Sequence, residues 1–481
     1  MDDLVDRTEA LRVLQGFNPW WGNGSMPTVP PFRRIAFQSC KSLLDDTTLR
    51  RAVHLSGPRR VGKTTVLLQL AESILDEGRE PKSVLYLSLD HPILKLLSLP
   101  EVLRLYHENI YSEGRSVVLL LDEVQYEENW ELELKQLIDH KRFYRIIATG
   151  SASVVQKQKL AESGVGRWVK VTIPTLSFYE FLQIREEETP RIAEGLRPND
   201  LFTKDRAALL ELGAQFRTLM PAFVRYLLVG GFPETATQAD VATCQRLLRE
   251  DVVERVLKRD MTALFGIRNV NDLEKLFIYL CLHTGDILSV QNCASALGTT
   301  SVTVSNHLDA LEQANLIFRL APARHGGKAV LKARYKIYLV DAALRNAVLL
   351  RGEDITGNPQ EMGTIVETTV LRHLAAYYYR DTPQLMYWRD PKTRLEVDMI
   401  VKSPAYVIPV EVKYRQEAGI GETSGIVTYC RAEKVTKAYW ITERERDFDI
   451  VSVGAGRTKV LRIPAHIFTY LIGQAERLLW T

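Results

Sequence analysis

Gly57-Pro-Arg-Arg-Val-Gly-Lys-Thr64 is a complete G-x-x-x-x-G-K-[ST] stretch, and its neighbours decide how it is read. The residues before it, Arg51-Ala-Val-His-Leu-Ser56, have strand character, and those after it, Thr65-Val-Leu-Leu-Gln-Leu-Ala71, are apolar at helical spacing. A strand, a glycine-rich turn and a helix in that order aim backbone N–H groups and a helix N-terminus at one point, which suits phosphate oxygens. The reading is a nucleoside triphosphate site, with ATP and Mg²⁺ as its cofactors. Its residues are Gly57, Pro58, Arg59, Arg60, Val61, Gly62, Lys63, Thr64 and Thr65. Gly57 and Gly62 permit the tight path, Lys63 reaches the β- and γ-phosphates, and Thr64 holds the metal.

A second element supports the first. Ser116-Val-Val-Leu-Leu-Leu-Asp122-Glu123 is a continuous apolar run ending in two acids, the pattern of a buried parallel strand with charge at its C-terminal end. Asp122 is placed in the metal shell and Glu123 beside the attacking water. A third strand, Tyr144 to Ser153, ends in small hydroxyl residues, so Thr149 or Ser151 is a candidate sensor of the γ-phosphate. Val84–Leu89 supplies another strand. Arg167 is a candidate for sensing phosphate in trans, or else a solvated loop residue.

Bulk properties restrict the rest. A chain of 481 residues exceeds one hydrophobic core, so two to four domains are expected. With 46% hydrophobic and 25% charged residues and a net charge of +3, any basic surface has to be local. The five cysteines are scattered without a C-x-x-C pair, which points to small core residues in a reducing compartment and to no zinc site. Apolar runs such as Val117–Leu121 are too short for a membrane span. The expected location is the cytoplasm, without membrane association.

Residues 271–283 are apolar at helical spacing. A short helix with Ala294 and Leu297, the turn Gly298-Thr299-Thr300 and a second helix from Ser301 to Glu312 follow at helix-turn-helix spacing. A hairpin comes next, with strands at Ile317–Leu320 and Tyr335–Val340 and a tip at Arg324–Lys328, so the segment resembles a winged helix. The wing carries Arg319, Arg324, Lys328, Lys332, Arg334 and Lys336 with no acid between them, a charge pattern that suits DNA phosphates. The second helix offers Thr303, Ser305, Asn306 and His307 as polar contacts, but it has no Arg or Lys and carries Asp309 and Glu312.

Near the C-terminal end, Leu395-Glu-Val-Asp-Met-Ile-Val401 and Val407-Ile-Pro-Val-Glu-Val-Lys413 alternate as half-buried strands do. Period two puts Glu396 and Asp398 on one face, and Glu411 and Lys413 likewise. If the strands are neighbours, carboxylates and an ammonium converge, a set suited to Mg²⁺ and phosphodiester hydrolysis. The spacing Asp-x₁₂-Glu-x-Lys resembles the PD-(D/E)xK nuclease core, in which Asp398 and Glu411 hold metal and Lys413 assists catalysis. Glu367, on an upstream helix, completes the shell. Such a fold also survives as an inert binding module.

Taken together, the motifs resemble those of the AAA-type ATPases with a C-terminal DUF4143 domain. The resemblance rests on Gly57–Thr64, Leu121-Asp-Glu123, Thr149-Gly-Ser151, Gly230-Gly-Phe-Pro-Glu234, Lys258-Arg-Asp260, Tyr338-Leu-Val-Asp341, Gly363-x₃-Glu367, Tyr387-Trp-Arg389, Glu396-Val-Asp398 and Glu411-Val-Lys413. It covers about residues 30–445. It implies an α/β fold: a P-loop NTPase parallel sheet, then a helical and winged-helix region, then a restriction-endonuclease-like α/β domain. The expected divisions are 1–45 as an N-terminal extension, 46–185 as the ATPase core, 186–265 as a helical lid and linker, 266–340 as the winged helix and 341–481 as the nuclease-like domain. The resemblance further implies sites shared between subunits of a homo-oligomer. The function expected is ATP-driven DNA processing on branched or single-stranded DNA. The alternatives are a translocase or branch-migration motor with an inert nuclease fold, and a nucleotide-dependent signalling or defence switch. Phe17-Asn-Pro-Trp-Trp21 lies outside these motifs and is expected to pack on the core.

Overall fold

The computed structural model describes residues 6–22, 26–46, 48, 50–127, 129–150, 166–192, 195–323, 334–415 and 419–480. The chain forms two compact units. The first is Met1–Ile173 with Gln313–Asn315 and Trp480–Thr481, and the second is Pro174–Glu312 with Leu316–Leu479.

The first unit is built on a parallel sheet of five strands: β1 Ala52–Ser56, β2 Val84–Ser88, β3 Val117–Asp122, β4 Tyr144–Gly150 and β5 Trp168–Thr172. Their order is β2-β3-β4-β1-β5. The apolar run from Val117 to Leu121 is at most 1% exposed, as a strand covered on both faces requires. Each such side chain contributes about 2 kcal/mol. Because β4 runs between β1 and β3, its C-terminal end at Thr149 lies between the loop that follows β1 and the acids that end β3.

The Phe17–Trp21 segment packs on the core, and it does so by sealing the edge strand β2. Asn18 imitates a neighbouring strand: its side chain accepts from the Tyr86 N–H at 2.7 Å and donates to the Tyr86 carbonyl at 2.9 Å. The indole N–H groups of Trp20 and Trp21 donate to the Val84 carbonyl at 3.0 and 2.9 Å. Backbone groups that an open edge would leave to solvent or to another chain are thereby satisfied.

The second unit holds a sheet of eight strands in the order β12-β13-β11-β10-β9-β8-β6-β7. These are β6 Ile317–Pro322, β7 Lys336–Leu339, β8 Gln384–Arg389, β9 Glu396–Lys402, β10 Val407–Lys413, β11 Lys437–Thr442, β12 Asp449–Val453 and β13 Thr458–Pro464. The helices Val270–Leu282, Val290–Leu297 and Ser301–Gln313 precede it, with Gly298 left-handed at φ 67° in the turn. Val304, Leu308 and Leu311 face inward as their spacing predicts. The hairpin β6/β7 does not stand apart as a wing. β6 pairs in parallel with β8 at Ala321↔Met386 and Pro322↔Tyr387, so the hairpin extends the sheet that carries Glu396 and Glu411 across the expected division at 340/341.

The Gly230-Gly-Phe-Pro-Glu234 motif acquires a structural role here. The Gly231 N–H donates to Asp341 Oδ2 at 2.9 Å, and the other oxygen of Asp341 caps the following helix through Ala343. Two motifs remote in sequence are one contact. All five cysteines are buried and unpaired. Among the described residues no helix is long and apolar enough to cross a membrane.

Candidate functional site

The loop after β1 is shaped by close approach. A Cβ on Gly57 would sit 2.1 Å from the Ile173 carbonyl oxygen, and Gly62 caps the helix Lys63–Asp76 in the left-handed region at φ 94°. Pro58 and Val61 are buried, Arg59 and Thr65 half-buried, and Arg60 and Thr64 exposed. The Val61 carbonyl is held by Arg34 at 2.7 Å, and Arg59 reaches the Tyr126 hydroxyl at 3.4 Å. Lys63 folds over the loop, donating to the carbonyls of Gly57 and Pro58 at 3.0 and 2.8 Å.

The acids at the end of β3 meet this loop. Thr64 donates its hydroxyl to Asp122 Oδ2 at 2.6 Å, and Thr149 donates to Asp122 Oδ1. The Glu123 N–H donates to the Thr149 hydroxyl at 3.1 Å, and Gln125 donates to the Glu123 carboxylate. Glu123 takes φ 57°, a turn that separates its side chain from the strand direction of Asp122. Burial pushes the Glu123 carboxyl above its ordinary range; nearby Lys63 opposes this and Asp122 reinforces it. A carboxylate raised in this way is suited to accept a proton. The paired oxygens of Thr64 and Asp122 fit a hard divalent cation such as Mg²⁺.

Of the other nucleotide-site residues read from the sequence, Ser151 lies outside the described residues. Arg167 precedes β5 and so stands at the edge of the sheet opposite the phosphate loop, where it pairs with Asp139 at 3.2 Å. Tyr86 was missed. Its hydroxyl donates to Asp122 Oδ2 at 3.1 Å, and Phe17 packs edge-on against its ring.

A parallel sheet with the phosphate-binding turn after β1, the acids after β3 and a hydroxyl from the strand between them is now in view. Sequence models of known families match in the same order: an AAA domain over residues 49–182, a domain of unknown function (DUF8612) over 220–354, and DUF4143 over 362–465. The chain carries an AAA domain and a DUF4143 domain. One relative is the uncharacterized protein MJ1637 of Methanocaldococcus jannaschii, 27% identical and spanning 82% of this chain and 81% of its own length. Another is an uncharacterized protein of Haemophilus influenzae, 24% identical over 78% and 85%. Among solved structures, the Thermotoga maritima RuvB Holliday junction branch migration motor is 16% identical over 66% of this chain and 91% of its own, with a TM-score of 0.26, a likeness too slight to argue from.

The second cluster is built mainly from the DUF4143 region. β9 and β10 are antiparallel neighbours, so Glu396, Asp398, Glu411 and Lys413 converge as their alternation predicts. Glu367 joins them from the helix Pro359–Tyr377. Lys336, read from the sequence as part of a basic wing, enters from β7 instead. Its ammonium lies 3.0 Å from Glu367 Oε1, 2.8 Å from Glu396 Oε1 and 3.0 Å from Asp398 Oδ1. Tyr338 donates to Glu367, Lys413 donates to Glu411, and the Val412 N–H donates to Asp398 Oδ2 at 3.0 Å. Burial pushes Asp398 up, but Lys336 and Lys413 more than offset it and hold its carboxyl below the ordinary range. Burial and the Asp398 charge push Glu411 up to about 8.

The expectation that Glu367, Asp398 and Glu411 hold Mg²⁺ is not met by this arrangement, because a lysine nitrogen stands where the carboxylates converge. Among the described residues no group of three or more acidic, histidine or cysteine side chains is disposed to hold a metal ion.

The basic surface is also altered. Lys336 is buried, and Arg324, Lys328 and Lys332 lie outside the described residues. Arg319 is bound by the acids of the helix before it, at 2.6 Å to Asp309 and 2.7 Å to Glu312. His307 is buried at 6% exposure, next to the inward Leu308, and is no surface contact; Ser305 and Asn306 are exposed.

Proposed function

We propose that this protein hydrolyses ATP at the phosphate loop and uses the nucleotide cycle to change how its helix-turn-helix engages DNA, without cutting it. The observation that carries the reading is the meeting of Lys63, Thr64, Asp122, Glu123 and Thr149 at one end of the parallel sheet. Lys63 exchanges its loop carbonyls for the β- and γ-phosphates. Thr64 and Asp122 would hold Mg²⁺, which would neutralise charge on the phosphate oxygens. Glu123, positioned by Gln125 and by its own N–H on Thr149, takes a proton from the attacking water. Branched or single-stranded DNA is the preferred partner, because the second helix exposes Ser305 and Asn306 but no arginine for reading bases. The C-terminal domain does not cut in this reading, because three of its carboxylates already hold Lys336. Assembly into a homo-oligomer would let an arginine of one copy face the phosphates of the next, and Arg167 is the residue to test.

The pairing of Arg319 with Asp309 and Glu312 favours a second reading, a nucleotide-dependent switch that binds a protein partner. ATP turnover with single-stranded, duplex and four-way branched DNA separates the two. In the proposed case DNA raises turnover, Lys63→Ala loses nucleotide binding, and Glu123→Gln binds ATP but turns over at least about 100-fold more slowly. Turnover indifferent to every DNA form would leave the switch. No turnover in the wild type would end both.

A further inference from the structure

We infer that the ammonium of Lys336 is the resident cation of the C-terminal carboxylate centre and keeps divalent metal out of it. This concerns the second unit alone and does not depend on the ATPase proposal.

The geometry is that of a tethered ion. A lysine ammonium has three hydrogens to donate, and Lys336 has three carboxylate oxygens at 2.8–3.0 Å, from Glu367, Glu396 and Asp398. Its side chain is 3% exposed, so bulk solvent has little access to these bonds. Mg²⁺ would have to sit at about 2.0–2.1 Å from the same oxygens, which is the space the nitrogen fills.

Further acceptors at Asp398 and Glu411 are committed as well. Asp398 Oδ2 takes the Val412 N–H and faces Lys413 at 3.9 Å. Glu411 takes the Asp398 N–H at 3.3 Å on one oxygen and Lys413 on the other. Glu367 Oε1 takes the Tyr338 hydroxyl in addition to Lys336. Two ammoniums thus face four carboxylates, and each ammonium bonds at least one of them.

The placement also gives the lysine a second task. Lys336 belongs to the hairpin that follows the helix-turn-helix, whereas Glu396 and Asp398 belong to β9 and Glu367 to the helix Pro359–Tyr377. A mobile metal could leave this junction, but a side chain cannot. The centre is therefore a permanent clasp between the hairpin and the carboxylate strands, built from residue types that elsewhere serve hydrolysis.

Counting bound Mn²⁺ on the full-length protein without nucleotide tests this. Wild type and Asp398→Asn are expected to bind the same number of ions. Lys336→Ala is expected to bind one more, and Lys336→Ala/Asp398→Asn to lose it. Loss of an ion on going from wild type to Asp398→Asn would overturn the inference, because metal would then share the centre with the lysine. A folded Lys336→Ala protein that gains no ion would overturn it too, because the lysine would not be what excludes the metal. If Lys336→Ala does not fold, Lys336→Met/Glu367→Gln removes one charge of each sign and is expected to fold without gaining an ion, while the wild-type comparison with Asp398→Asn decides independently.

Discussion

The phenolic hydroxyl of Tyr86 donates to Oδ2 of Asp122 at 3.1 Å, the same oxygen that accepts from Thr64 at 2.6 Å. With Thr149 on the other oxygen, the carboxylate is fixed from three directions. Tyr86→Phe removes one of these bonds without changing the packing against Phe17. Loss of about 1 kcal/mol of positioning corresponds to about a fivefold rise in the Mg²⁺ concentration for half-maximal ATP turnover. An unchanged Mg²⁺ titration would show that Thr64 and Thr149 suffice.

Asn18 makes three side-chain hydrogen bonds, two to the backbone of Tyr86 and one to the Leu14 carbonyl at 2.8 Å. Asn18→Ala leaves buried β2 groups without partners. It is expected to destabilise the first unit by about 2–3 kcal/mol in urea, read from the fluorescence of the buried Trp20 and Trp21.

His54 lies in β1 with its ring 5.4 Å from that of Trp130, and neither ring nitrogen has a hydrogen-bond partner. Burial, reinforced by the charges of Lys170 and Lys63, pushes its pKa down to about 3. The unfolded chain takes up a proton near pH 6.5 and the folded chain does not, so stability is complete above that value and falls as the pH drops toward the folded pKa. Between pH 6.5 and 5 the loss is on the order of 2 kcal/mol. His54→Leu should remove this part of the acid sensitivity, seen as a flatter dependence of Tm on pH.

Arg319 is held by two acids on the helix that would approach DNA. Glu312→Gln weakens that hold and removes one negative charge. If the hairpin contacts phosphate, the variant should bind DNA more tightly, and the slope of log K against log salt should steepen by about one to two. Fluorescence anisotropy across a salt series measures both. Unchanged binding would assign this face to something other than nucleic acid.

The two centres differed in how openly the sequence displayed them. The turn from Gly57 to Thr64 is a run of contiguous residues shaped by its own backbone, so its conformation could be read from spacing alone. Asp122 and Thr149 were legible because each ends an apolar strand. Alternation also placed Glu396, Asp398, Glu411 and Lys413 correctly. The role of Lys336 was not legible, since it lies in a run of basic residues that looks like a solvated wing; only the pairing of β6 with β8 carries it to Asp398, 62 residues away. Tyr86 was hidden for a related reason: its ring reads as ordinary strand filling, and the partner of its hydroxyl lies on the next strand. Charge pattern along the chain reports which residues are ionised, but not which strand will bring them a counterion.

The union of β6 with β8 bears on how this part of the molecule can be divided. A fragment begun at residue 341 would lack the strand that meets Met386 and Tyr387, together with the bond from the Ala323 N–H to the Tyr387 carbonyl at 2.7 Å. It would expose a raw sheet margin and leave Glu367, Glu396 and Asp398 without their buried lysine. Such a piece invites self-association through β8. The hairpin and the carboxylate strands are therefore one structural block, and a cut between them would part Lys336 from Glu367, Glu396 and Asp398.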